Sequence, residues 1–236
     1  MNRINMGVTF GTKHSYNDMG LILASKSLGY PEVKSRYIEI PGRDGDLDET
    51  EILTGRPSYG NRDITLTFIL LNKEYRDWQA VMSEIAVLIH GKKMRIVFDD
   101  DKAYYYEGRC SLDPITCNKK AGKVVVKINA ETYKKAVVGY DEPWLWDPFD
   151  FVYGVINDTY EKQVSGTLTV MFDTFEMPET LTIESNVNMD MTYGDTTYHL
   201  TPGVNVLYSV LLTQGTHTLV FTGNGKVTVR WTGGRL

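Results

Sequence analysis

The chain has 236 residues and a mass of 26.8 kDa, room for one large or two small domains. Its 42% hydrophobic and 23% charged residues suit a chain that fills a core, which excludes intrinsic disorder. Residues 1–140 carry 21 Lys and Arg against 18 Asp and Glu, whereas residues 141–236 carry 4 against 12, so the net charge of −5 divides into +3 and −8, and the acidic second part argues against nucleic-acid binding there.

No apolar run reaches the roughly 18 residues that cross a bilayer. The longest, Ile64–Leu71, is broken by Thr65 and Thr67. The opening Met1-Asn2-Arg3-Ile4-Asn5 lacks the apolar core of a secretory signal. Along the first part, short strands are expected at Met6–Phe10 and Met19–Ala24, and Arg36–Ile40 alternates cleanly before Pro41-Gly42 stops it. Pro41–Asn61 is polar and punctuated by Gly and Pro, and reads as a long exposed excursion with a hairpin through Leu47–Leu53. Arg62–Leu71 is the strongest strand, with Ile64, Leu66, Phe68 and Leu70 alternating with polar residues.

One helix follows. Asn72 is its expected N-cap, and Trp78, Val81, Met82, Ile85, Leu88 and Ile89 form an apolar stripe at helical spacing. Gly91 is its expected C′ residue. Strands resume at Met94–Phe98, Ala103–Leu112, Lys123–Ala130 and Tyr133–Gly139, with Asp99-Asp100-Asp101 as a solvated hairpin tip.

The second part shows no helical period. Strands are expected at Val164–Phe172, Thr180–Ser185, Met189–Tyr193, Thr196–Leu200, Leu207–Leu212, His217–Phe221 and Val227–Trp231, and Gly223-Asn224-Gly225 reads as a turn. So many short strands in under a hundred residues imply an antiparallel sandwich. The fold expected is mainly β: a β-rich α+β domain with one helix over residues 1–138, and an antiparallel β-sandwich over 139–236, entered through a linker at about 139–150.

No catalytic constellation rises above background, and no cofactor or metal is implied. Cys110 and Cys117 do not complete a zinc site, and no histidine pair has ligand spacing. No serine lies in a nucleophile elbow. The chain is therefore read as a non-enzyme. The aromatic cluster Trp144, Trp146, Phe149 and Phe151 has two readings: a sugar-stacking platform, or an interdomain plug.

Two segments carry a family resemblance. Tyr37-Ile38-Glu39-Ile40-Pro41-Gly42-Arg43-Asp44-Gly45-Asp46-Leu47-Asp48, followed by Tyr59-Gly60-Asn61-Arg62-Asp63-Ile64-Thr65-Leu66, resembles the first-domain signature of distal tail proteins of phages with long, non-contractile tails. The ending, Thr201-Pro202-Gly203 through Trp231-Thr232-Gly233-Gly234-Arg235-Leu236, is similar to their C-terminal domain. The resemblance implies a structural protein of a phage or prophage virion, assembled in the host bacterial cytoplasm and resident at the tail tip. It implies a homo-hexameric ring built from first domains, joining the tail tube protein to the tail-tip fibre or tail-associated lysin. It implies a galectin-like second domain that can hold a receptor-binding protein. Neither specific nucleic-acid binding nor membrane insertion is expected.

A ring needs a protruding contact, and the Pro41–Asn61 excursion is the candidate. Arg43, Arg56 and Arg62 would face acidic groups such as Asp44, Asp46 or Asp48 of the next subunit. The rival reading is a carbohydrate-binding adhesion module recognising cell-wall glycans.

Overall fold

The structure, a computed structural model, describes residues 7–71, 78–114, 116–117, 121–138 and 158–236. The chain divides into two compact units, Met1–Thr132 and Tyr133–Leu236. The first holds β1 (Val8–Phe10), β2 (Lys13–His14), β3 (Ile22–Leu28), β4 (Tyr37–Ile38), β5 (Leu47–Asp48), β6 (Arg62–Leu71), α1 (Trp78–Ile89), β7 (Lys93–Phe98), β8 (Asp101–Leu112), β9 (Thr116–Cys117) and β10 (Ala121–Ala130). The second holds β11 (Lys135–Ala136), β12 (Lys162–Thr174), β13 (Glu179–Ser185), β14 (Met189–Tyr193), β15 (Thr196–Leu200), β16 (Gly203–Leu212) and β17 (Gly215–Arg230).

In the first unit an antiparallel sheet runs in the order β2-β1-β7-β8-β10-β6-β3. Alternation in β6 dictates its inner face: Ile64, Leu66, Phe68 and Leu70 are buried, as are Val124, Val126 and Ile128 opposite them on β10. Phe10, Phe98 and Tyr106 join this core, with Phe98 and Tyr106 meeting edge to face at 5.8 Å. The helix buries Ile85 and Ile89 and packs Val81 and Met82 on the same cluster, while Leu88, expected in the stripe, is 37% exposed. Its expected N-cap, Asn72, lies outside the described residues. Gly91, at φ +76°, ends the helix in the left-handed region and donates to the Cys110 carbonyl.

Asp99 and Asp100 do form the turn between β7 and β8, but they are not simply solvated. The Asp99 carboxylate accepts from the Gly7 amide at 2.8 Å and from His14 Nε2 at 3.1 Å, and Asp100 pairs with Lys26. His14 Nδ1 accepts from the amides of Tyr16 and Asn17, which leaves the proton on Nε2.

The second unit is a six-stranded sheet in the order β15-β14-β17-β13-β16, with β12 on the other side of β17. The strand order corrects one reading. Gly223-Asn224-Gly225 is no turn: it lies inside the 16-residue β17, and residues 215–227 pair continuously with β12. On its other edge β17 pairs with β14 through Thr222 and with β13 from Val227. The glycines sit at this exchange. A Cβ on Gly223 would lie 2.8 Å from Met189 Cβ, and one on Gly225 would lie 2.5 Å from Val187. Trp231, Phe221, Leu219, Val229, Leu181 and Ile183 are buried in this unit.

Across the first sheet, Arg62, Ala130 and Gly108 form one inward row. A Cβ on Gly108 would stand 2.7 Å from Ala130 Cα and 2.8 Å from the Asn129 carbonyl oxygen, both backbone atoms that cannot yield cheaply. Gly108→Ala is expected to destabilise the protein by about 1–3 kcal/mol, read as a lower urea midpoint at unchanged slope.

Candidate functional site

The strongest structural candidate is an arm, residues 29–61, which leaves the sheet at the end of β3 and returns at the start of β6. Its root extends the β3–β6 ladder. Gly29 donates to the Asp63 carbonyl, Gly60 to Glu32 and Lys34 to Ser58, with a bridge between Val33 and Tyr59. Further out, Tyr37 pairs with Asp48 and Ile38 with Leu47. The hairpin therefore spans residues 37–48, with Pro41-Gly42-Arg43-Asp44-Gly45 at its turn, rather than Leu47–Leu53. The sequence favours this turn because Gly42 and Gly45 take positive φ at no steric cost.

The tip is charged and open: Arg43, Asp44 and Asp46 are all exposed. Asp48 is committed locally. Its Oδ1 accepts from the Thr50 amide at 2.9 Å, and the Thr50 hydroxyl and amide hold its carboxyl below the usual carboxylate range. Arg36 pairs with Glu49 at 3.4 Å. Arg56 is half-buried. Arg62 is not on the arm's surface at all: it is 4% exposed, turned inward on β6. Five of the six charged candidates thus lie on the arm, and the sixth lies under its root.

Sequence reading of the arm missed its apolar side. Tyr30 (85%), Ile52 (68%) and Leu53 (84%) are open to solvent, as are Val33 and Tyr37 to a lesser degree. A depression of about 670 Å³ is lined by Val33, Tyr37, Ile52 and Pro57 together with Asp48 and Glu51. The available signal was Ile52-Leu53 in an otherwise polar stretch with no alternating partner.

In the second unit, β16 lies at the sheet edge and leaves Val204, Val206 and Tyr208 exposed. Behind it, Glu179, Thr182, Arg230, Trp231 and Thr232 line a shallow depression of about 390 Å³. The Glu179 carboxylate accepts from the Thr232 amide at 3.0 Å. Trp144, Trp146, Phe149 and Phe151, on which the sugar-platform and plug readings rest, lie outside the described residues. Cys110 is a buried free thiol whose pKa burial pushes up to about 11. Among the described residues no group of three or more His, Cys, Asp or Glu side chains is placed to hold a metal ion.

The model of the phage tail protein RIFT-related domain family matches residues 10–130. The chain belongs to that family. The match falls within the first unit and takes in the arm and the sheet that carries it. This phage tail protein also shares its fold with the crystal structure of SPP1 Dit (gp 19.1), with a TM-score of 0.64 at 14% identity over 98% of this chain and 99% of that one. That structure is described as a paradigm of the hub adsorption apparatus in phages that infect Gram-positive bacteria. No curated protein matches the chain in sequence. The tail protein is thus a virion tail component with the β-rich fold of a distal tail protein, as its two sequence segments imply.

Burial of Glu179 raises its pKa against the pull of Thr232, Gly233 and Lys135. Above the ordinary Glu value of about 4.3 the unfolded chain ionises while the native carboxyl keeps its proton, so stability contributed here falls as pH rises. Glu179→Gln is expected to flatten that slope in urea titrations run from acid to neutral pH. An unchanged slope would remove Glu179 as its source.

Proposed function

We propose that the tail protein is a distal tail hub. Its first domain, residues 1–138, closes into a homo-hexameric ring that joins the tail tube to the tail-tip fibre or tail-associated lysin. Its second domain, residues 139–236, is galectin-like, projects outward and receives a receptor-binding protein. Assembly takes place in the host bacterial cytoplasm.

The observation that carries this reading is the arm. A two-stranded ribbon is marginal in water without an apolar face packed on something. This arm presents Tyr30, Ile52 and Leu53 to solvent while burying little of its own. Contiguous exposed apolar surface marks an interaction site. Its tip carries both charge signs, Arg43 beside Asp44 and Asp46, which suits a head-to-tail contact that closes by rotation. The exposed edge of β16, with Val204 and Val206, offers the second domain a separate surface for another tail component.

The test is mass by light scattering. Because both residues are open to solvent in the single chain, the pair Ile52→Ser and Leu53→Ser should leave the melting temperature nearly unchanged. The same pair should weaken self-association by about tenfold or more, the equivalent of one buried aliphatic side chain. Deleting Leu47–Ser58 should abolish the oligomer. A mass unchanged by both alterations would sink the arm as the ring contact.

A further inference from the structure

Arg62 is the most anomalous charge in the first unit. It has the inward parity of Ile64, Leu66, Phe68 and Leu70, and the small Ala130 and Gly108 beside it leave room for its side chain. An arginine stays protonated at any pH at which the protein folds. Burying that charge without a paired anion is expensive. Yet Arg62 makes no ion pair with any carboxylate among the described residues. Its Nη1 donates to the Tyr106 hydroxyl over a long 3.4 Å, and its Cζ lies 5.4 Å from the Tyr106 ring and 6.0 Å from the Tyr30 ring. Tyr106 cannot serve as the counter-ion, because burial raises its pKa and keeps the phenol neutral. The carboxylates that act on Tyr106 from a distance are Asp101 and Asp100, neither within ion-pair distance of Arg62, and Asp100 is taken by Lys26.

The two nitrogens left over decide the chemistry. Nε and Nη2 are buried and meet no acceptor among the described residues. These two N–H groups share the side-on edge of the guanidinium, the edge that binds a carboxylate through two parallel hydrogen bonds. The geometry points to Arg62 as a carboxylate-binding fork at the root of the arm, beside Tyr30. The Tyr30 ring, 6.0 Å from Cζ and itself 85% exposed, is free to rotate away at little cost. The carboxylate comes either from solution or from an acidic side chain of a second copy, for which Asp44 and Asp46 on the exposed hairpin tip are candidates. The fork itself does not depend on the ring.

The experiment follows the Arg62 Nε–H resonance by NMR in the full chain, with sodium acetate as the probe and sodium chloride at matched ionic strength as the control. Acetate should move the resonance saturably and chloride should not. Acetate should also raise the melting temperature by ligand linkage, a rise lost in Arg62→Lys, whose point charge has no fork. If a second copy supplies the carboxylate, the resonance should shift with protein concentration, and Asp44→Asn with Asp46→Asn should remove that shift. Equal responses to acetate and chloride, with no dependence on protein concentration, would overturn the assignment. The acetate comparison is made within the unaltered chain, so it holds even where Arg62→Lys does not fold, and it reads the fork separately from any failure to form a ring.

Discussion

The ladder between β6 and β10 sets the position of everything else in the first unit. Ten residue pairs run from Arg62–Ala130 to Leu71–Ala121 without a slip. A one-residue shift would turn Ile64, Leu66 and Phe68 outward, and full burial of each is worth about 1.5–3 kcal/mol. That penalty locks the register. Once it is locked, the other edge of β6 fixes β3, and the continuation of that β3–β6 pairing past Leu28 and Ile64 becomes the root of the arm. The arm's direction is therefore inherited from the core, although the arm contributes almost nothing to the core.

The same register explains Arg62. Strand parity sends position 62 inward whatever residue occupies it, because the four apolar positions after it cannot all be given up to solvate one charge. The sheet accommodates the outcome by placing Ala130 and Gly108 in the same row. This steric accommodation is paid in strictness at Gly108, where even a methyl group would press on backbone. A lysine at 62 would fit the space but would offer a point charge in place of a planar edge.

How far the fold could be read from residues alone follows from how local each cause is. The alternation in β6, the Gly91 stop and the part of the helical stripe formed by Val81, Met82, Ile85 and Ile89 are decided by neighbours within a few positions, and the structure holds them. The arm is visible as an excursion, but its hairpin lies earlier than Leu47–Leu53, since β4 and β5 hold only two residues each and give no periodic signal. Gly223-Asn224-Gly225 has the composition of a turn, and only the long-range demand that β17 serve β12, β14 and β13 reveals it as the site where a strand changes partner. Arg62 departs from expectation for the opposite reason. Its charge suggested the surface, while its parity with Ile64, already plain in the sequence, placed it inside. Of the candidate contact residues, the tip group Arg43, Asp44 and Asp46 is exposed because nothing in the unit lies opposite it. Asp48 is spoken for by Thr50, a two-residue relation readable from Asp48-Glu49-Thr50 itself.

Arm and fork pose one energetic problem from two sides. The arm exposes apolar groups that water disfavours, and its root covers a cation that water would favour. Neither arrangement is what stability of a lone chain would select, since a polar residue at 53 or a leucine at 62 would remove the cost at no loss of register. Each becomes reasonable when the free energy is completed from outside. Apolar area on the arm gains by being covered, and the guanidinium edge gains by receiving two acceptor oxygens. The two gains also differ in kind: covering the arm supplies affinity with little directional demand, whereas a bidentate fork accepts only a planar group at one angle. In the proposed ring, a non-directional contact at Ile52 and Leu53 would hold neighbours together, and a directional one at Arg62 would fix their angle. Closure after a fixed number of copies depends on that angle and not on the area buried.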